Sequence, residues 1–169
     1  MTTLERLRID HARALLDFET RNRAYFAASI PDRGDDYFTD FTAIHSERVA
    51  EQETGTIHMH LVVEADGTIL GRVNLVDVAD GAAELGYRIA QSAAGKGLAT
   101  WAVRQVCELA TAEYGLKRLR AMTTVDNAAS HVVLTRTGFT VTGDTTLNGK
   151  PGRHYECDLI AGAHSAAST

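Results

Sequence analysis

The residues best suited to chemistry lie in a glycine-rich loop, Gly95-Lys96-Gly97, directly before a helical pattern that starts at Leu98. Glycine has no Cβ, so the backbone can approach a ligand closely there. Free N–H groups at the start of a helix, aided by the helix dipole, bind anions such as a pyrophosphate. Lys96 adds a positive charge. The loop therefore predicts a phosphate site, although a glycine-rich turn before a helix is also an ordinary connection.

The spacing of this loop excludes two common nucleotide-binding motifs. A P-loop needs a glycine, four further residues and then Gly-Lys-Ser/Thr, whereas Lys96 is followed by Gly97. A dinucleotide fingerprint needs a third glycine, but Leu98-Ala99-Thr100 follows, and no acidic residue ends a following strand about 20 residues on.

The elements that must position the loop alternate between strand and helix patterns. We predict strands over 4–9, 57–64, 69–78, 83–89, 118–125, 139–147 and a last one ending near 160, with helices over 10–29, in one piece or broken, over 37–55, from 98 onwards and over 128–137. A turn is predicted around Asn148-Gly149. The apolar residues alternate over 57–64, with Ile57, Met59, Leu61 and Val63 on one face, and they form one stripe on the helix from 98 onwards, at Leu98, Ala102, Val106, Leu109 and Ala110. Asp10 is the predicted N-cap of the first helix. The order indicates an α/β class with a mixed sheet. With 169 residues, 44% of them hydrophobic, we expect a single domain over 1–160 and a disordered tail over 161–169.

Charge and hydropathy narrow the function class. The net charge of −5, with no run of like charges, argues against binding to nucleic acid or to an anionic membrane. No apolar stretch approaches the roughly 20 residues of a membrane span, and the first residues lack the pattern of a signal peptide. We therefore expect a cytoplasmic protein. Cys107 and Cys157 are predicted to be reduced core residues, and neither is placed to act as a nucleophile.

The seven histidines raise the question of a metal site. His58 and His60 would share one face of a strand, but no third ligand occurs at an informative spacing. We predict no metal and interpret both as residues on a sheet face. His131 and His154 are expected at the surface.

Three blocks of sequence carry a family resemblance: Glu84-Leu85-Gly86-Tyr87; Gly95-Lys96-Gly97-Leu98-Ala99-Thr100; and Asn127-Ala128-Ala129-Ser130 with Gly138-Phe139. Together they resemble the GNAT superfamily of N-acetyltransferases over most of the chain. The resemblance extends to the RimJ/RimL-like branch, which acetylates the N-termini of ribosomal proteins. It implies the GNAT acyl-CoA N-acyltransferase fold, with a central, mostly antiparallel sheet, splayed strands and flanking helices.

The resemblance also implies acetyl-CoA as cosubstrate. The backbone of the loop would bind its pyrophosphate through Gly95, Lys96, Gly97, Leu98, Ala99 and Thr100, and the preceding strand would offer main-chain groups to pantetheine from Arg88, Ile89 and Ala90. The family usually has Gln or Arg where this chain has Ala94, so one side-chain contact is absent. Asn127 would contact the coenzyme or cap the following helix.

Two residues are candidates for proton transfer. Glu84 would lie beside the thioester and take the proton of the amine directly or through water, a contribution of about 10²–10⁴ in rate; the alternative is an exposed strand residue or an ion-pair partner. The family's usual tyrosine donor is missing, because the matching helix reads Val132-Val133-Leu134. Ser130 would then protonate the thiolate, or it satisfies a backbone group at the helix start.

The acceptor is the least determined part of the sequence. Asp32, Asp35 and Asp36 lie where the family places its acceptor groove, and they would attract a cationic amine or form a solvated loop. Trp101 would stack near the adenine, belong to a homodimer interface or pack within the fold. We predict direct acetyl transfer to a protein N-terminus or a small-molecule amine. The alternative is a noncatalytic acyl-CoA sensing domain of the same fold.

Overall fold

The structure, a computed structural model, describes residues 1–160, so the predicted tail lies outside the described residues. This part of the chain forms seven strands and six α-helices. The strands are β1 (Thr3–Arg6), β2 (His58–Val63), β3 (Ile69–Ala79), β4 (Ala82–Ile89), β5 (Arg118–Thr124), β6 (Thr140–Leu147) and β7 (Lys150–Asp158). The helices are α1 (Ala12–Arg21), α2 (Arg23–Ala27), α3 (Asp35–Thr39), α4 (Phe41–Glu53), α5 (Leu98–Ala112) and α6 (Ala128–Arg136).

The strands belong to one mixed sheet in the order β1-β2-β3-β4-β5-β7-β6. β4 pairs with β5 in parallel, whereas the β1–β2, β5–β7 and β6–β7 pairs are antiparallel. A parallel pair needs a crossover connection, which α5 provides between β4 and β5. The predicted α/β class with a mixed sheet is therefore confirmed.

The chain divides into two compact units, and the boundaries between them fall within β3 and within β4. The first contains residues 1–74 and 87–99, and the second contains 75–86 and the chain from 100 onwards. The single domain expected from the sequence stays a prediction.

In the first unit, β2 departs from the predicted alternation. Met59, Leu61 and Val63 are buried as expected, but His58 and His60 on the opposite face are buried as well. β2 is an inner strand between β1 and β3, and its burial pattern shows that both of its faces are covered. Strands of this kind lose the polar face on which an alternation pattern depends.

The first predicted helix is two helices, α1 and α2, separated at Asn22, whose backbone leaves the helical region with φ −102° and ψ 6°. Asp10 is not the N-cap of α1. It lies in a short 3₁₀ turn, and its carboxylate accepts a hydrogen bond from Arg8 Nε at 3.1 Å. His11 stands at the N-cap position instead.

In the second unit, α5 buries the apolar stripe predicted from its periodicity, including Ala102, Val106 and Ala110. Arg104 and Glu108 on the opposite side are exposed. The β6–β7 hairpin turns at Asn148-Gly149, where both residues have positive φ, as a tight hairpin turn requires. No helix among residues 1–160 is long and apolar enough to cross a membrane.

Candidate active site

The loop between β4 and α5 has the backbone of an anion cradle. Gly95 and Gly97 adopt φ +74° and +78°, a region that residues with a side chain rarely occupy. Open space surrounds both positions, since a Cβ built on either meets no atom within 4 Å. α5 begins directly afterwards at Leu98, so the N–H groups of its first turn have no acceptor inside the helix. Lys96 is exposed, and its Nζ donates to the Ser92 carbonyl at 3.1 Å.

A side chain outside the predicted site, that of Asn22, fixes the start of this loop. The side chain is buried where α1 ends. The Asn22 Nδ2 donates to the Phe18 carbonyl at 2.9 Å, and its Oδ1 accepts from the backbone N–H of Gln91 at 3.0 Å. One amide therefore ties the turn after β4 to the end of α1.

At the end of β4, the residues expected to meet pantetheine differ in whether their main-chain groups are already hydrogen-bonded within the fold. The N–H of Ala90 donates to the Leu70 carbonyl on β3 at 2.8 Å, and the Ala90 carbonyl accepts from Ala93 at 3.0 Å. Successive residues of a strand direct their main-chain groups to opposite sides. The N–H and C=O of Ile89 therefore point away from β3, which makes Ile89 the best suited of the three predicted residues, while the amide of Ala90 is already used within the fold.

Glu84 lies where β4 and β5 part. Their parallel register covers only Ala82 to Glu84 against Arg118 to Arg120, although β5 continues to Thr124. The Glu84 side chain is half-buried. Gly86, two residues further and so on the same face of β4, is exposed, and a Cβ built on it meets no atom within 4 Å. The carboxylate therefore stands beside open space at the point where strand pairing ends.

At the start of α6, Asn127 is the N-cap. Its Oδ1 accepts a hydrogen bond from the Ser130 N–H at 3.1 Å, the usual geometry of a capping amide. Ser130 is half-buried. The next residue, His131, is not the surface residue expected from the sequence. Its Nδ1 lies 2.8 Å from the hydroxyl of Tyr155, which is only 1% exposed, whereas His154 is exposed as predicted.

In the acidic loop, one arginine pairs with two of the three acids. Arg23 Nη2 lies 2.7 Å from Asp32 and 2.8 Å from Asp35. The hydrogen bonds from Arg23 lower the pKa of Asp32 to about 2. Only Asp36, of the three acids expected to attract a cationic amine, has no ion pair among the described residues.

A buried ionic cluster centred on Glu19 was missed by the sequence analysis. The Glu19 carboxylate, on α1, contacts Arg33, Arg72 and Arg88 at 3.1, 2.8 and 3.4 Å. Burial alone would raise the pKa of Glu19, but the charges of Arg72, Arg33 and Arg88 together lower it. The signals in the sequence were an acid on the buried face of α1, one turn after Leu15, and an arginine inside the apolar β3 pattern.

The histidine pair and the two cysteines are the other candidates for metal binding or nucleophilic chemistry. Burial lowers the pKa of His60 to about 4, and His58 shifts in the same direction. Residues 1–160 hold no group of three or more His, Cys, Asp or Glu side chains arranged to bind a metal ion. Burial raises the pKa of the Cys107 thiol to about 12 and raises that of Cys157 as well, so neither thiol is an activated nucleophile.

Comparison with known proteins decides the family. The family model described as an acetyltransferase (GNAT) domain matches residues 2–140. A probable N-acetyltransferase of Bacillus subtilis, YjcK, is 30% identical over 152 residues, which cover 85% of this chain and 83% of that protein. The chain belongs to the GNAT acetyltransferase family.

Solved structures of the same fold include GNAT enzymes with different acceptors. The ribosomal-protein S5 alanine acetyltransferase of Vibrio fischeri superposes with a TM-score of 0.88 at 20% identity, over 94% of this chain and 93% of that one. RimJ of Mycobacterium smegmatis, solved with a CoA disulfide, gives 0.81 at 22% identity, over 98% and 89%. The spermidine acetyltransferase SpeG of Vibrio cholerae gives 0.79 at 15% identity, over 97% and 99%. At these identities the likeness concerns the fold.

Membership of the GNAT family confirms the resemblance, the fold and the assignment as an acetyltransferase. It favours an enzyme over a noncatalytic sensing domain. The roles of Glu84, Ser130, Asn127 and the loop stay predictions, as do the cytoplasmic location and the homodimer. Trp101 is half-buried on α5, which leaves its three interpretations open.

Proposed function

We propose that this GNAT enzyme transfers an acetyl group from acetyl-CoA to the amine of a protein N-terminus or a small molecule, with Glu84 as general base. The observation that carries the proposal is the end of the parallel β4–β5 register at Glu84 and Arg120. A half-buried carboxylate stands there beside open space, without an ion pair among the residues described.

The donor set before α5 fits a pyrophosphate. The amides of Gly95 to Thr100 lie in a segment with two positive-φ glycines and a helix start, a backbone arrangement suited to phosphate oxygens. Lys96, held only by a carbonyl, is free to turn its charge to an anion. Ile89 would meet pantetheine through its main chain. When bound there, acetyl-CoA supplies the activated acetyl group.

Glu84 and Ser130 divide the proton transfers. A neutral amine is the nucleophile, and Glu84 takes its proton directly or through a water as the amine attacks. The C–S bond of the thioester breaks, and the hydroxyl of Ser130, whose backbone N–H is capped by Asn127, donates a proton to the departing thiolate. Exchange with water then returns a proton to Ser130 and removes the one on Glu84. Both thiols of the chain have raised pKa values, which supports direct attack without an acyl-enzyme.

The first test compares thermal stability with and without acetyl-CoA and then measures thiol release against a panel of peptides, amino acids and other amines. We expect acetyl-CoA to raise the melting temperature, because a ligand that binds only the folded state stabilises it. In Glu84→Gln we expect that shift to persist while kcat falls about 10²- to 10⁴-fold. Glu113→Gln, at an exposed position beyond α5, is the matched control and should retain full activity.

Two results would contradict the proposal. A folded protein whose melting temperature does not respond to saturating acetyl-CoA has no coenzyme site. A Glu84→Gln enzyme with undiminished kcat does not use Glu84 as base. Binding of acetyl-CoA without turnover on any amine would return the chain to the sensing interpretation.

A further inference from the structure

The cluster around Glu19 contains more positive charge than its carboxylate balances. Three guanidinium groups, those of Arg33, Arg72 and Arg88, make ion pairs with Glu19, and no other acid pairs with them in the described part of the chain. Three positive charges against one negative charge leave an excess of two. The whole chain, in contrast, carries −5.

These excess charges are withdrawn from water. The exposed fractions of the Arg72, Arg88 and Arg33 side chains are 6%, 18% and 25%. A buried charge is costly unless it is paired, and the single carboxylate of Glu19 can balance only one of the three guanidinium charges. Burial first, and then the charge of Arg33, lowers the pKa of Arg88. The imbalance therefore points to an anion that comes from outside the chain.

A small cavity borders the same cluster. Its volume is about 90 Å³, and Arg33, Arg72, Tyr37 and Asn74 are among the residues that line it. A water needs roughly 10–15 Å³ of such space, so the cavity has room for a carboxylate group.

Two buried polar atoms at this cavity lack partners among the residues that the structure describes. One is Arg72 Nε, a donor, and the other is Asn74 Oδ1, an acceptor. Both belong to β3 and stand two residues apart, hence on the same face of the strand. Unsatisfied buried groups are rare, because each carries the full cost of its desolvation. A ligand that accepts from Arg72 and donates an N–H to Asn74 would satisfy both atoms.

We propose that this cavity binds the carboxylate of the acceptor, so that the enzyme acetylates amines that carry a carboxylate. A guanidinium fork recognises a carboxylate through paired charged hydrogen bonds. The Asn74 oxygen accepts from an N–H of the same molecule. The proposal rests on the acetyl transfer proposed above and selects amino-acid-like or acidic peptide acceptors over polyamines.

The test compares acceptors in matched pairs on the wild-type enzyme at one ionic strength. In the first kind of pair, a free amino acid is compared with its α-amide. In the second, a peptide with Asp or Glu as its second residue is compared with the same peptide carrying Asn or Gln there. Spermidine and phosphoethanolamine serve as further reference acceptors. We expect kcat/KM to be roughly ten- to a hundredfold higher for the carboxylate member of at least one pair. The first pairs test recognition of the α-carboxylate of the acetylated amino acid, and the second test recognition of a side-chain carboxylate on the next residue.

Arg33→Gln removes one excess charge at the least buried of the three arginines. It should reduce the preference for the carboxylate member severalfold, chiefly through KM of the acceptor, while KM for acetyl-CoA stays unchanged. Arg118→Gln, an exposed arginine on β5, should leave the preference intact. If Arg33→Gln does not fold, the wild-type pairs and the thermal shift caused by the N-acetylated carboxylate product, compared with that of its amide, decide the question.

The outcomes separate this proposal from the proposed function. Acetylation with equal kcat/KM for both members of every pair, or with a preference for spermidine or phosphoethanolamine, overturns the carboxylate site and leaves acetyl transfer standing. A thermal shift by the acetylated carboxylate without any turnover supports the site and contradicts the transfer. A product that gives no shift, together with no turnover on any acceptor, overturns both.

Discussion

Two ionic clusters in the first unit use the same side-chain types in opposite proportions. In one, three arginines surround the single carboxylate of Glu19, which is 1% exposed. In the other, Arg23 bridges Asp32 and Asp35, and the Asp35 side chain is 91% exposed. The first is rich in cations and buried, and the second is rich in acids and solvated.

The difference shows that burial, and not the number of contacts, decides what a charge cluster does. Arg23 lowers the pKa of Asp32 to about 2, yet water and salt screen that pair, and exposed ion pairs add little to stability. Around Glu19 the screening is weak, so an unbalanced charge affects folding and, in the carboxylate site proposed above, ligand choice.

Glu19→Gln should have the largest effect on stability. It leaves three arginines around a neutral amide, and removal of one partner from a buried ion pair costs about 3–5 kcal/mol. The free energy of unfolding, measured by urea denaturation at pH 7, checks this. Because the pKa of Glu19 is lowered in the folded state, its contribution is present above the unfolded pKa of about 4.5 and is lost as the pH falls below that value. A variant as stable as the wild type would show that the cluster is not held by its carboxylate.

His60 tests how burial affects a single titratable group in place of an ion pair. Its pKa is about 4 in the fold against 6.5 for an unperturbed imidazole, so the unfolded chain binds a proton first as the pH falls. Above about pH 6.5 His60 is neutral in both states and costs no stability. As the pH falls from 6.5 to 4, the free energy of unfolding decreases by roughly 3 kcal/mol. Stability measured across this range should fall less steeply in His60→Gln. His154→Gln, at an exposed position, should reproduce the wild-type slope.

Asn22→Ala tests a buried polar contact that carries no charge. The substitution leaves the N–H of Gln91 without its acceptor and should cost about 1–3 kcal/mol of stability. Because Gln91 begins the turn into the Gly95–Gly97 loop, we also expect KM for acetyl-CoA to rise. Asn127→Ala, which removes the cap of α6, should cost about 1 kcal/mol and serves as the comparison for stability alone, because Asn127 is itself a predicted coenzyme contact. An unchanged KM in Asn22→Ala would show that the loop does not depend on this tie.

The parts of the fold that sequence predicted well depend on local patterns. The helical stripe of α5, the hairpin turn at Asn148-Gly149 and the glycines of the loop are each determined by residues close together in the chain. Element order, and with it the mixed sheet, could be assembled from such segments. Glu84 could be placed on β4 in the same way.

The parts that sequence missed depend on distant partners. Glu19 meets Arg72 and Arg88 across 53 and 69 residues, so no spacing rule relates them. The two buried faces of β2 follow from its inner position in the sheet, which its own pattern of residues did not disclose. The ion pairs of the acidic loop were missed for the same reason, because their partner Arg23 lies in a helix predicted separately.

Asp35→Asn should have the smallest effect of the series. It removes one of the two carboxylates that pair with Arg23, but Asp32 Oδ2 remains 2.7 Å from Arg23 Nη2, and the Asp35 side chain is almost fully solvated. We expect the unfolding midpoint and the acceptor preference to match the wild type within error, at low and at high salt. A clear rise in KM for a cationic acceptor such as spermidine would reverse the contrast, because it would restore the acidic loop as an electrostatic guide for the amine. The same variant therefore distinguishes recognition by exposed acids from recognition by the buried arginines.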